Sequence, residues 1–403
     1  MPWRRGVSAQ VFEEAAVDCG RALAAFRDSR SGARKGPRVR FPKHKRKGRC
    51  RESFRIRNKR HKHGGCLIRV GEGHPRSVTL PTIGQIRVHD DTRKLRRLLR
   101  PGKTSDVSTD GGIGAARARI LFATVTRHGG RWYVSLNLQA CDFHPARRHQ
   151  LGPLEDGDRF IGVDRGLTVF AVAATAEGTE VGRFHALKPL NRQLSRLRRR
   201  SRNLSRASRG SNNRIRAARL LALQHAHIAN ARRSFLHEVS SQLTKTHGRL
   251  AIEDLAVLNL AANRRLARAI SDAAWAEFAR QLTYKALWLG GELVVCDRWF
   301  PSTRTCSRCG RLKEQMKPTE RVLCCDGCGL VIDRDRNAAA NLAAWAERFH
   351  SQAPARQAGG REPMPLEGKA LAIALDDGET SPYERGTDAS PPTGAEDTRG
   401  GWR

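Results

Sequence analysis

Cys306-Ser-Arg-Cys309 is followed, after 15 residues, by Cys325-Asp-Gly-Cys328. Two such pairs supply four thiolates at the spacing of a tetrahedral zinc site, and the following glycines, Gly310 and Gly329, let backbone N–H groups turn toward sulfur. Four sulfur ligands leave no open position for water, so the Zn2+ expected here is structural. A redox dithiol would need only one pair. Cys324 could replace Cys325 only with a less usual spacing and is left outside the site. Cys19, Cys50, Cys66, Cys141 and Cys296 are scattered, which argues for metal rather than a disulfide framework.

Three carboxylates stand out by position. Asp164 ends the apolar run Phe160-Ile-Gly-Val-Asp, Glu253 ends Leu250-Ala-Ile-Glu, and Asp335 opens a helix in Ile332-Asp-Arg-Asp-Arg-Asn. Carboxylates at the ends of neighbouring strands and an adjoining helix can converge on hard cations. Two such ions about 4 Å apart activate water and stabilise the leaving 3′ oxygen in phosphodiester hydrolysis. Singly, an Asp at a strand end is most often a turn or capping residue. Asp254 and Asp333 compete for the same roles.

Lys and Arg number 75 against 39 Asp and Glu, a net charge of +36 that calls for a polyanionic partner. Arg30 to Lys62 holds 16 basic residues and the single acid Glu52; Arg192 to Arg219 holds 11 arginines and no acid. A merely solvated face would mix both signs. Lys43, Lys45, Arg46 and Lys47 in the first run, and Arg196, Arg198, Arg199, Arg200, Arg202 and Arg206 in the second, are the candidate nucleic-acid contacts. They select phosphate, not a base sequence. No apolar leader and no run of 18 apolar residues is present, so no membrane partner is expected and the expected location is cytoplasmic, beside bacterial DNA.

The elements that must position these groups follow from periodicity. Residues 8 to 27 read as a helix, and Ser53 to Arg57, Leu67 to Val70, Ser77 to Pro81 and Gln85 to Val88 as short strands. Ile120 to Thr126 and Arg131 to Leu138 form a hairpin around His128-Gly-Gly, so residues 50 to 140 make a small β-barrel or sheet. Buried strands then run from Phe160 and from Thr168, two basic helices flank Gly210-Ser-Asn-Asn, and further strands lie at Arg249 to Glu253 and Glu292 to Cys296. Ser271 is expected to cap the helix carrying Trp275, Phe278 and Leu282, which Gly290-Gly291 ends. Beyond residue 351 the composition, with 9 acids and 6 bases, reads as a disordered tail.

Four segments carry a resemblance: Ile161-Gly-Val-Asp-Arg-Gly-Leu, Leu250-Ala-Ile-Glu-Asp-Leu, Phe300-Pro-Ser-Thr-Arg-Thr-Cys-Ser-Arg-Cys-Gly, and Cys325-Asp-Gly-Cys-Gly-Leu-Val-Ile-Asp-Arg-Asp-Arg-Asn-Ala-Ala-Ala-Asn-Leu. In this order, over about residues 160 to 345, they resemble the TnpB family of OrfB-type insertion-sequence proteins, relatives of the type V CRISPR nucleases. The resemblance implies an α/β fold: a RuvC-like nuclease of RNase H type with an inserted zinc ribbon, preceded by a partial helical segment and a β-barrel-like wedge domain. It implies Asp164, Glu253 and Asp335 as the catalytic set on Mg2+, with Mn2+ as the alternative ion. The partners implied are a guide RNA from the transposon end and double-stranded target DNA, cut beside a short transposon-associated motif, with sequence read by base pairing.

The corresponding division is 1–40 for the helical recognition segment, 41–150 for the wedge domain, and 151–300 for the nuclease with its arginine-rich insertion at 187–247. The zinc ribbon takes 301–331, the last nuclease helix 332–350, and the tail 351–403. By the same resemblance the chain starts inside the recognition region, as an N-terminally truncated member. Arg165 stands where an apolar residue is frequent, yet its side chain should leave the strand on the face opposite Asp164. A second reading is a nuclease-inactive nucleic-acid-binding protein, a guide-dependent repressor or a decayed transposase remnant. A strand-transferring transposase would need a nucleophile such as a catalytic tyrosine, and Tyr133, Tyr284 and Tyr383 stand beside no His pair.

Overall fold

The computed structural model describes residues 6–34, 36–43, 50, 52–60, 65–100, 118–140, 145–154, 159–317 and 319–352. Lys45, Arg46, Lys47 and the tail beyond residue 352 lie outside them.

Helix α1 (Ala9–Arg30) is followed by β1 (Ser53–Arg57), β2 (Arg69–Val70), β3 (Ser77–Leu80), β4 (Gly84–Arg87), α2 (Arg93–Leu99), and the long hairpin β5 (Ala118–His128) and β6 (Arg131–Ala140). The strands form two separate three-stranded antiparallel sheets, β1-β5-β6 and β2-β3-β4. They share one core of Ile56, Ile68, Val78, Leu80, Ile120, Ala123 and Val125. Outward arginines on β1 pair with α1 acids: Arg57 with Glu14 at 2.7 Å and Arg55 with Asp18 at 3.3 Å. The expected single barrel or sheet is therefore two sheets over a common core, with α2 as an unforeseen helix.

The second layer system begins with β7 (Ile161–Arg165), β8 (Val169–Ala174) and β9 (Glu180–His185), an antiparallel meander. Helices α3 (Pro189–Arg206) and α4 (Asn212–Thr246) precede β10 (Arg249–Glu253); α5 (Val257–Ala262), α6 (Ala267–Ala273) and α7 (Trp275–Trp288) precede β11 (Glu292–Cys296). The sheet order is β11-β10-β7-β8-β9, with β10 parallel to both β7 and β11. A short antiparallel pair, β12 (Val322–Cys324) and β13 (Val331–Asp333), leads into α8 (Arg334–Gln352).

Alternation along the strands gives the sheet two different faces. Ile161, Val163, Leu250 and Ile252 meet Leu236, Val239 and Leu243 of α4 and Phe278 and Leu282 of α7. Phe170 lies edge-on to Phe278 and Phe235, with ring centroids 4.9 and 5.0 Å apart, a geometry that adds about 0.5–1.5 kcal/mol per pair beyond burial. The opposite face carries Phe160 and Ala251 under Leu342, Ala343 and Ala346 of α8, and Val172 and Ala174 under Ala339.

Ser271 does not cap the tryptophan-bearing helix. It lies within α6, and α7 starts after Ala274, a non-glycine residue in the left-handed region at φ 52°. Gly290, also left-handed at φ 70°, ends α7 as expected of a residue just past a helix C-terminus.

Candidate active site and cysteine cluster

Gly162 explains how a helix from the end of the chain reaches the first strand. A Cβ built on it would stand 1.9 Å from the carbonyl oxygen of Ala339 and 2.7 Å from the amide nitrogen of Ala343, so α8 rests on bare backbone there. Asp164 lies two residues further along the same strand face. Asp335 lies one turn before Ala339 on the same side of α8. Phe160 clusters with Ala346 at the other end of this contact, so α8 runs against the direction of β7. Two strand residues advance about 6.6 Å and a helical turn about 5.4 Å, and the mismatch is small enough to bring Asp335 beside Asp164.

Glu253 arrives from the next strand. The parallel register pairs Ile252 with Val163, which puts Glu253 one step on, beside Asp164, and on the face of Ala251 under α8. All three carboxylates are half-buried at this end of the sheet. Burial first, then repulsion from Asp335 and Glu253, pushes the Asp164 carboxyl up to about 7. Burial also raises Glu253, Arg165 opposes that rise, and Asp254 adds to it. Clustered acids that resist ionisation are what a cation-binding site looks like before its cation neutralises them.

The neighbouring acids are occupied. Asp333 accepts the Arg336 N–H at 2.9 Å, capping α8, and pairs with Arg183 at 3.2 Å. Asp254 pairs with Arg298 at 2.6 Å. Asp335 itself is paired with Arg334 at 3.2 Å. Arg165 takes the opposite face: it is buried and donates to the backbone carbonyls of Glu253 and of Trp275, tying β7 to the end of β10 and to the start of α7. Spacing alone gave no sign of this anchoring.

The four cysteines converge. Their Sγ atoms all lie within 4.8 Å of one another, with Cys306 and Cys328 3.6 Å apart and Cys309 and Cys325 3.5 Å apart. A Zn2+ with sulfur bonds near 2.3 Å needs tetrahedron edges of about 3.8 Å, so the donor set fits that ion in number, softness and span. Gly310 and Gly329 take φ 74° and 70° and close the two knuckles by donating to the carbonyls of Cys306 and Cys325. Among the N–H groups that reach sulfur is that of Gly327, 3.4 Å from Cys325 Sγ. N–H groups of Cys328 and Gly327 draw the Cys325 thiol down to about 6, toward the thiolate a metal requires. Cys324 lies outside the cluster. Among the described residues no other group of three or more His, Cys, Asp or Glu is gathered so tightly, so the carboxylates form a looser set than the thiols.

Two buried asparagines join cluster and carboxylates. Asn337 accepts the Ser307 N–H at 2.9 Å and donates to the Thr305 carbonyl at 2.7 Å; Asn341 donates to the carbonyls of Ser302 and Thr305 at 2.7 and 2.6 Å. Both are on α8, and Asn337 is two residues from Asp335. Neither was singled out from sequence, although Asn-Ala-Ala-Ala-Asn places both on one side of a helix.

The basic hairpin is anchored by a residue equally unforeseen. Asp272, 7% exposed, accepts the N–H groups of Leu190 at 3.1 and 3.0 Å and of Asn191 at 3.4 Å, and pairs with Arg232 at 3.0 Å. It thereby caps α3 from α6. On α3, Arg196, Arg198, Arg199, Arg202 and Arg206 are exposed. Arg200 is half-buried and donates to the Leu220 carbonyl on α4, so it holds the hairpin together rather than standing free. Lys43 is exposed.

This is an α/β protein that sets an acidic cluster, a four-thiol cluster and a basic helical hairpin around one mixed sheet. Residues 145–264 match the family described as "Probable transposase", OrfB of IS605, and residues 275–342 match the Cas12f1-like TNB domain. A Mycobacterium tuberculosis protein named "Putative RNA-guided DNA endonuclease" is 33% identical over 355 residues, covering 86% of this chain and 70% of the relative. A Streptomyces pristinaespiralis relative of the same name is 41% identical over 222 residues, 55% of this chain and 52% of the relative. A solved Cas12f1–sgRNA–target DNA complex aligns at TM-score 0.44 and 15% identity, covering 79% of this chain and 67% of that one. The chain belongs to the TnpB family of OrfB-type insertion-sequence proteins. Among its described residues no helix is long and apolar enough to cross a membrane.

Proposed function

We propose that the chain is a transposon-encoded, RNA-guided DNA endonuclease in which Asp164, Glu253 and Asp335 hold Mg2+ and the four cysteines hold a structural Zn2+. The observation that carries this is the gathering of three carboxylates from distant parts of the chain onto one face of the sheet beneath α8. The names of the relatives point the same way. The sheet order, an antiparallel meander continued by two parallel strands, supports an RNase H-like, RuvC-type nuclease at 151–300 and 332–350. We read 301–331 as the zinc ribbon, 41–150 as the wedge domain and 1–40 as a helical recognition segment.

Oxygen donors suit a hard cation, and the carboxylates fit Mg2+, with Mn2+ the alternative. Bound there, the ions would supply an activated water and charge stabilisation at the leaving 3′ oxygen. The chain's own residues do the positioning. Gly162 lets Asp335 approach, Arg165 fixes the end of β10 that bears Glu253, and Arg334 holds the Asp335 carboxylate. Exposed arginines of α3 offer a row of charges to the backbone of a guide–target duplex, which they read as phosphate and not as bases.

The test is Asp164→Ala in the full chain, co-expressed with RNA transcribed from the transposon end. Mg2+-dependent cleavage of a matched plasmid is expected to vanish while bound RNA is retained. Cleavage at the wild-type rate in that variant overturns the assignment.

A further inference from the structure

Trp299 is 85% exposed, among the most exposed large side chains of the described residues. A single exposed apolar residue is ordinary, and what sets this indole apart is its place beside the carboxylates, where its face is free to stack on another ring. Its backbone is hydrogen-bonded into a turn. The Trp299 N–H donates to Asp297 Oδ1 at 2.7 Å, the Phe300 N–H donates to the Asp297 carbonyl at 3.2 Å, and Pro301 follows. Phe300, next in the chain, turns inward against Trp345 of α8. The backbone that carries the ring is therefore tied into a turn, with the ring itself exposed.

It also stands at the carboxylate end of the sheet. With Asp254, Val295, Cys296, Asp297 and Arg298 it lines an open cavity of about 390 Å3. Cys296 is the register partner of Glu253, and Asp254 follows Glu253 directly. Arg298 is held over the cavity by its 2.6 Å contact with Asp254, with its side chain still 43% exposed. The site thus offers a stacking plane and a fixed cation immediately beside the carboxylate cluster.

We propose that Trp299, with Arg298 and this cavity, is a docking site for an unpaired nucleobase that holds single-stranded DNA next to the phosphate to be cut. The inference rests on the nuclease reading for the identity of that strand. Bases inside a duplex are already stacked on their neighbours, and an isolated indole gains nothing from them. An unpaired base has a free π-face, and stacking accepts any of the four bases, as a strand whose sequence is read by pairing with a guide requires. The nearby guanidinium contacts the adjoining phosphate and turns the strand toward Glu253.

The experiment uses the full chain and a twelve-nucleotide oligothymidylate carrying 5-bromouracil, with no Mg2+ added, so that binding is read independently of cleavage. Salt near 0.5 M suppresses the general attraction of a highly basic protein for any polyanion. Irradiation followed by peptide mass spectrometry is expected to place the crosslink on Trp299. Trp299→Ala is expected to weaken single-strand binding about tenfold, Trp299→Phe to retain most of it, and neither to change affinity for a duplex of the same length or the melting temperature. A crosslink elsewhere with unchanged single-strand binding in Trp299→Ala overturns the proposal, as does an equal loss for single strand and duplex. Either failure leaves the nuclease reading standing, because that reading is tested by Asp164→Ala cleavage.

Discussion

Replacing Gly162 with alanine tests the placement of the third carboxylate without touching any carboxylate. The added Cβ would sit 1.9 Å from the Ala339 carbonyl oxygen, where about 3.5 Å is an ordinary contact, so α8 must withdraw by about 1.5 Å or the strand must bend by as much. All three atoms it meets are backbone, at Ala339 and Ala343, so no truncation on α8 relieves the clash. Overpacking of this kind costs about 1–3 kcal/mol. Asp335 travels with α8, and a displacement near 1 Å at a reacting centre lowers rate about a hundredfold. Urea denaturation of the variant and its Mg2+-dependent cleavage rate, measured with the same bound RNA, separate the two effects. Gly162→Ala with wild-type stability and wild-type cleavage would refute the close approach and the geometry built on it.

Three other variants probe other joints. Asn337→Ala leaves the Ser307 N–H without its side-chain partner and the Thr305 carbonyl with Asn341 alone, and is expected to cost about 1–3 kcal/mol and to speed zinc release to a chelator; unchanged release kinetics would count against coupling between the cysteine cluster and α8. Asp272→Ala strips α3 of its cap and leaves Arg232 unpaired, a loss of about 3 kcal/mol, with weaker duplex binding and unchanged zinc content; stability equal to wild type would show the clasp to be idle. Lys285 donates to the His237 carbonyl and to the Ser240 and Ser241 hydroxyls, and burial, then Lys245, brings its ammonium down to about 8. Its folded value lies below the ordinary 10.5, so the charge penalises the folded state below pH 8 and the penalty fades as pH rises from 8 to 10.5. Lys285→Met should flatten the rise in unfolding midpoint over that window, and an unaltered pH profile would show that Lys285 does not titrate there.

Much of the central sheet was legible because its strands are buried on both faces and read as apolar runs ending in acids. The cysteine knuckles were legible because ligand spacing is a local property. Strand β9 was not: as a sheet edge, Glu180-Val-Gly-Arg-Phe-His mixes polar and apolar residues without a clean period. The break between α6 and α7 was also hidden, since nothing in Ser271-Asp-Ala-Ala-Trp marks Ala274 as left-handed. Asp272 could not be recognised as a cap because its partners, Leu190 and Asn191, are 82 and 81 residues away. Arg165 and Gly162 illustrate the same limit from within a motif. Their roles are fixed by what packs against them from later in the chain, while local sequence shows only a charge and a gap.

Asp335 lies on the last described helix, and the thiol cluster sits between it and Glu253. A ribosome that has delivered residues up to about 300 has released two members of the acidic set and the basic hairpin, but not the third. The third carboxylate arrives only with the segment whose register the asparagines set against the cysteine knuckles, so the acidic cluster closes only after the four thiols have been made and folded.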